Sequence, residues 1–367
     1  MNPLLELQKA GQSIWLDFIT RSFTAEGKLK ALIDNDGLRG VTSNPTIFQK
    51  AFASGNAYDN AISELIKKDS PTEEIFWELA IVDIQQACDQ FKPVYEKTGG
   101  KDGFVSLEVN PHLSRDTQGT LKQVRDLFRR VARPNVMIKI PATKEGLPAI
   151  EQALGEGINI NITLIFALER YQEVMEAWLA GLERLDKSGK PINKVASVAS
   201  FFVSRVDSLV EKQLAQKGAP VKLYGKAAIA NAIQAYQMFL KMSLGARFKA
   251  LASKGAQVQR PLWASTSTKN PKYRDVLYVE ELIGPDTVNT LPPATIDAFR
   301  DHGKVRQSLM ENPAASVNVL ADLAQAGIDM KQVTQQLENE GLALFEESYD
   351  SLIKTLDDKK QSLKVAH

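Results

Sequence analysis

The sequence has little of what marks a metalloprotein, a disulfide scaffold or a membrane protein. Its one cysteine, Cys88, excludes an internal disulfide framework, and the helical neighbours Ile84 and Phe91 predict a buried, inert thiol. Histidine is nearly as scarce. His112, His302 and His367 are the three, without HExxH or CxxC spacing, so no transition-metal site is expected. No run of about 18 or more apolar residues offers a membrane span. An excess of either charge is missing too: 45 basic and 44 acidic residues leave a formal net charge of +1. That excludes a global field for nucleic acid or an anionic membrane surface and points to a small-molecule partner. Repeats, low-complexity tracts and Pro/Ser-rich linkers are also lacking, so one domain over residues 1–367 is expected. The segment MNPLLELQKAGQSIWLD carries Glu6 and Lys9 where a signal peptide needs a basic region and then an apolar run, so a cytoplasmic location is expected.

What is present is an alternation of short β-branched runs with longer helical stretches, the pattern of a parallel sheet wrapped by crossover helices. Eight strands are predicted: 14–19, 40–44, 104–110, 136–142, 160–166, 195–202, 261–266 and 286–292. Eight is the number that closes a (β/α)₈ TIM barrel, a fold that runs from about 200 to over 400 residues as one domain. Helices are predicted after Pro71, over TLKQVRDLFRRVA, over KEGLPAIEQALGEG and from Tyr224 to Ala252; Gly155 and Gly157 fit a helix end, and Pro292 and Pro293 a helix start. Residues 45–103, residues 203–260 and the tail beyond 303 are too long for single crossovers, so additional helices are expected between strands and at the C-terminus. The tail, 304–367, is expected to pack on the barrel through Met330, Val333, Leu337, Leu342 and Phe345; whether it covers the barrel mouth stays open.

Strands of a parallel barrel are buried on both faces and should be almost wholly apolar. Several here are not. Side chains alternate along a strand, so Val136, Ile138 and Ile140 face one way and Met137 and Lys139 the other. The same parity turns Ser106, Glu108 and Asn110 inward, and likewise Asn159, Asn161 and Thr163. Asp17 and Asn44 stand near the C-terminal ends of the first two strands, the end where catalytic side chains of such barrels converge. An inward lysine beside carboxylates has two readings. It is an ion pair filling a cavity, or it is an amine poised to attack a carbonyl while the carboxylates transfer protons.

The motifs GVTSNPTIF (40–48), SLEVNPHLSRDT (106–117), VMIKIPATKEGLPAI (136–150), GININITLIF (157–166) and SFFVSRVD (200–207), in this order, resemble those of the transaldolase family, with coverage from Trp15 to about Pro293. The resemblance implies a cofactor-free enzyme, monomer or homodimer, that moves a dihydroxyacetone unit between sugar phosphates in the non-oxidative pentose phosphate pathway. It implies a Schiff base on Lys139, Asp17 as the group taking the C4 hydroxyl proton, and Glu108 as acid/base partner through a water held with Thr163. Asn44, Asn161 and Ser200 would bind hydroxyls of the three-carbon unit, and Arg205 with the turn from Ser265 to Lys269 would bind phosphate. Here the chain departs from the better-known subfamily: Ser267 stands where that subfamily has arginine, and Lys269 is the nearest cation. Glu108 and Phe202 separate the chain from shorter lyases such as fructose-6-phosphate aldolase, which resemble a pattern with Gln and Tyr there and release free dihydroxyacetone. A sugar-phosphate-binding barrel without catalysis is the alternative from another class.

Overall fold

The computed structural model describes residues 2–218 and 220–365; His367 lies outside them. Eight parallel strands close into a barrel in sequence order: β1 Gln12–Leu16, β2 Gly40–Val41, β3 Phe104–Glu108, β4 Val136–Pro141, β5 Ile160–Ile165, β6 Ser197–Phe202, β7 Arg260–Ala264 and β8 Thr287–Leu291. Closure is made by β1 against β8, with Gln12 opposite Thr287 and Leu16 opposite Leu291. Each strand overlaps its predicted stretch, and most are trimmed by one to three residues at an end, apolar ones such as Phe18, Ile19, Val195 and Ala196 included. Helices ring the outside, and Val105, Leu107, Val136, Ile138, Ile140, Ile160 and Ile162 are fully buried beneath them.

Local chemistry explains the short β2. A Cβ at Gly40 would lie 2.6 Å from the Trp15 ring and 2.7 Å from the Phe104 carbonyl, so only glycine lets β1, β2 and β3 approach this closely. Two predicted details differ. Gly155 lies inside the helix Gly146–Glu156, where a Cβ would meet Arg184 at 2.7 Å; Gly157 alone ends that helix, with φ +94°. The run from Tyr224 to Ala252 is two helices, Ala227–Ser243 and Ala246–Ala252, because Gly245 turns the chain at the exposed Leu244.

Helices Pro45–Ala53, Asp59–Lys67 and Thr72–Lys97 fill the long connection after β2, and the helix Ser204–Gln216 follows β6. Beyond β8 and the helix Pro293–His302 come Ser308–Glu311, Pro313–Gln325 and a C-terminal helix, Met330–Val365. At 1.5 Å per residue this last helix is about 54 Å long. Its buried side chains, Val333, Leu337, Leu342, Phe345, Tyr349, Leu352 and Leu356, recur every three to five positions and form one stripe. That stripe lies on the helices 45–53, 59–67, 72–97 and 204–216 and on β5, which carries the helix across the C-terminal end of the barrel. Polar bonds fasten it: Tyr349 donates to Glu73 at 2.7 Å, Thr72 to Asp357 at 2.8 Å and Lys360 to the Ser70 carbonyl at 2.7 Å. Among the described residues no helix is long and apolar enough to cross a membrane.

Candidate active site

The register of β3 on β4 sets Glu108 beside Lys139, and that of β4 on β5 sets Lys139 beside Asn161. The inward parity read from the sequence thus becomes one cluster. Lys139 Nζ donates to Glu108 Oε2 at 3.0 Å and to the Ser43 carbonyl at 3.3 Å. Both side chains are about 95% withdrawn from solvent, since each residue retains only 5% exposure. Burial pushes the Glu108 carboxyl up to about 6, with the Lys139 charge opposing and the Asp17 charge assisting. A carboxyl in that range exchanges protons near neutrality.

Asp17 follows β1 directly, its backbone N–H held by the Leu291 carbonyl at 2.8 Å. Its carboxylate accepts from Thr42 Oγ1 at 2.6 Å, and Thr42 in turn meets the Thr290 hydroxyl at 2.7 Å. The Asp17 residue as a whole is half-buried. Desolvation raises its pKa above the usual aspartate value, against the Thr42 hydrogen bond and the Lys139 charge.

The other inward residues divide by depth. Ser200 donates to Asn161 Oδ1 at 2.7 Å and Asn161 donates to Ser106 Oγ at 3.0 Å, a chain of polar groups beside Lys139. Thr163 Oγ1 and Glu108 Oε1 are buried without a protein hydrogen-bond partner among the described residues, although buried polar atoms are normally satisfied. Asn159 lies at the opposite end, where it binds the carbonyls of Pro134 and Val136. Asn110 leaves the interior: its side chain caps the turn Pro111–Leu113 and reaches Glu73. Asn44 is half-buried at the start of the helix Pro45–Ala53, where its Oδ1 accepts from the Ile47 N–H at 3.0 Å. The alternation fails after Thr163, because Leu164 has φ +59° and the β5–β6 register shifts between Ile162 and Ile165.

Phe202 ends β6, its ring 5.2 Å from that of Phe166 and 5.7 Å from the Arg205 guanidinium. Arg205 stands in the first turn of the helix Ser204–Gln216, half-buried, and desolvation lowers its pKa against the opposing charge of Glu340. The turn after β7 is stitched to that helix start: Ser265, at φ +57°, meets the Ser204 hydroxyl at 2.9 Å and accepts its N–H at 3.0 Å. Thr266 donates to Asn289 at 2.7 Å and is buried. Lys269 is exposed at the rim, its amine 3.1 Å from Ser267 Oγ. The structure therefore gathers Lys139, Glu108, Asp17, Asn161, Thr163 and Ser200, and leaves Lys269 outside that cluster.

Four participants escaped sequence reasoning. The Ser43 carbonyl carries no side-chain signal. Thr42 and Thr290 were hidden in strand ends, though their parity beside Asp17 could have found them. Phe345 was read as packing, which it does, but its ring centroid also lies 5.5 Å from Lys139 Nζ.

The sequence profile of the Transaldolase/Fructose-6-phosphate aldolase family matches residues 14–356, nearly the whole chain. The chain belongs to the transaldolase/fructose-6-phosphate aldolase family. The family match takes in β1 through most of the C-terminal helix, so Phe345 lies within it. Among curated relatives, a transaldolase of Trichodesmium erythraeum (strain IMS101) is 46% identical, covering 99% of this chain and 98% of that protein. One of Mycobacterium leprae (strain TN) is 46% identical over 99% and 98%. One of Thermobifida fusca (strain YX) is 48% identical over 96% of each.

Proposed function

We propose that the chain is a transaldolase, transferring a dihydroxyacetone unit from a ketose phosphate, sedoheptulose 7-phosphate or fructose 6-phosphate, to glyceraldehyde 3-phosphate or erythrose 4-phosphate. The observation that carries the reading is the buried amine of Lys139, 3.0 Å from a carboxyl raised to about 6 and within Coulombic range of Asp17. The Lys139 amine adds to C2 of the ketose, and Glu108 protonates the departing hydroxyl, which leaves as water and gives the iminium. The unpartnered Glu108 Oε1 and Thr163 Oγ1 support a water-mediated proton path between them. Asp17 then takes the C4 hydroxyl proton; the C3–C4 electron pair moves into the iminium, leaving an enamine and releasing an aldose phosphate. A raised Asp17 pKa favours the protonated form that waits for the acceptor. C3 bonds the acceptor carbonyl carbon, Asp17 returns the proton to its oxygen, and water activated by Glu108 hydrolyses the iminium.

Asn44, Asn161 and Ser200 hold hydroxyls of the three-carbon unit, and preorganised positioning of this kind lowers barriers by several kcal/mol. Arg205, with Ser265 beside it, binds the phosphate, and Lys269 adds a point charge at the rim. Glu108 and Phe202, rather than Gln and Tyr, favour transfer over release by a lyase. The catalytic unit is one barrel domain, with its C-terminal extension from residue 304 laid on it.

Borohydride reduction in the presence of fructose 6-phosphate tests the reading. It is expected to leave a dihydroxyacetone-derived mass on the peptide containing Lys139, with turnover that requires an acceptor aldehyde. An adduct on another lysine, or none, overturns it. Fast dihydroxyacetone release without acceptor establishes the lyase instead.

A further inference from the structure

We infer that Phe345 is a specificity-determining residue of this site: its ring, brought over the barrel mouth by the C-terminal helix, covers one face of the Schiff-base nitrogen, holds its cationic form and keeps water from that face of C2, leaving the approach activated by Glu108. This rests on the reading of Lys139 as the Schiff-base lysine.

The surroundings of Lys139 Nζ suit a cation on every described side. Glu108 Oε2 lies at 3.0 Å, the Ser43 carbonyl at 3.3 Å and the Phe345 ring centroid at 5.5 Å. The face of an aromatic ring is electron-rich and attracts a cation within about 6 Å of its centroid, most strongly where solvent is excluded. The three partners do not respond alike to the reaction. A lysine ammonium has three N–H donors for the carboxylate and carbonyl, whereas the iminium formed on the same nitrogen has one. Attraction to the ring needs no N–H, so it persists into the iminium and gains relative weight there.

The position of the ring is built into the helix that carries it. One turn earlier, a Cβ on Gly341 would lie 3.1 Å from Leu164 Cδ2, 3.7 Å from the Phe166 ring and 3.9 Å from Arg205 Nη1, so the backbone itself sits against the tops of β5 and β6. One turn later, Tyr349 is bonded to Glu73 at 2.7 Å and packs edge-on to Phe76 at 5.8 Å. Anchored on both sides, Phe345 is buried where the covalent intermediate forms. Premature release of the three-carbon unit requires a proton on C3, then addition of water at C2 and departure of the Lys139 amine. A ring over the nitrogen obstructs the water on that face and leaves the enamine to the acceptor aldehyde.

The test compares Phe345→Leu, which keeps apolar bulk without a π face, with Phe345→Tyr, which keeps the face. Two quantities are read with fructose 6-phosphate: the fraction of Lys139 trapped by borohydride, and dihydroxyacetone released per unit transferred to erythrose 4-phosphate. In the Leu variant the trapped fraction should fall and the release-to-transfer ratio should rise by about fivefold, while Tyr stays within about twofold of wild type. Phe345→Met, flexible enough to fill the same space, replaces Leu if that variant fails to fold. Unchanged ratios in the folded Leu or Met variant, or Tyr behaving like Leu, overturn the inference. Absence of a wild-type adduct on Lys139 overturns the Schiff-base reading instead, so the two failures are distinguishable.

Discussion

Strand β3 has a buried carboxylate at each end, and the two are treated in opposite ways. Asp102, just before the strand, and Glu108, its last residue, are six positions and so about 20 Å apart. Asp102 closes the base of the barrel with both oxygens occupied: Oδ1 accepts from Trp15 Nε1 at 3.0 Å and from Arg260 at 3.3 Å, while Oδ2 accepts from Ser13 and from Arg260 at 3.4 Å. Glu108 at the mouth binds Lys139 with one oxygen, and its other oxygen has no protein partner among the described residues. The difference separates a carboxylate that holds structure from one free to move protons. Full satisfaction locks geometry and charge; partial satisfaction under burial raises the pKa into the working range.

The hardest blow to this contrast is a matched pair of substitutions. Lys139→Met should lower kcat by at least about 10⁴-fold, as losing a covalent nucleophile does. Arg260→Met should leave kcat per folded molecule within about twofold while removing about 3 kcal/mol of stability, the usual penalty for stranding a buried charge. Urea unfolding with steady-state assays reads both, and a catalytically crippled but stable Arg260→Met protein would erase the distinction between the ends.

Glu108→Gln sharpens it through pH. A folded-state pKa of about 6, above the ordinary carboxylate value, means that the stability Glu108 contributes is full below about pH 4 and lost as pH rises through 6. The Gln variant lacks that loss, so its unfolding free energy relative to wild type should rise by roughly 2 kcal/mol between pH 4 and 7. At neutral pH its kcat/KM should fall by about 10²- to 10³-fold, and the acid limb near pH 6 should vanish. A pH-independent stability difference would overturn the proton-transfer role of Glu108.

The smallest effect belongs to the rim. Lys269→Ala should raise KM for phosphorylated substrates by about threefold and leave kcat alone, as expected of an exposed point charge. An unchanged KM removes Lys269 from the phosphate site.

The legible parts of this molecule were those written in period two. Alternation along β3, β4 and β5 turned Glu108, Lys139 and Asn161 to the face opposite their apolar neighbours, because side chains of a strand alternate whatever the fold around it. The same rule failed where backbone departs from a strand: Leu164, with φ +59°, breaks the alternation, and Asn110 turns out to cap the next turn. Gly155 misled because close packing against Arg184 calls for glycine as readily as a helix end does. The route of the C-terminal helix was invisible, since an amphipathic stripe reports that a face is covered and not what it covers. Phe345 therefore read the same as Leu337 or Leu342.

Asp17 and Phe345 stand 328 positions apart, yet both act on the amine of Lys139, one through its charge and the other through its ring. In sequence the β3–β4 pair that carries Glu108 and Lys139 comes well before β8, the strand that closes on β1. Reactivity and cover thus lie in separate parts of the sequence: Asp17, Glu108 and Lys139 all precede Leu291, where the last barrel strand ends, whereas the ring beside the amine comes from the helix Met330–Val365.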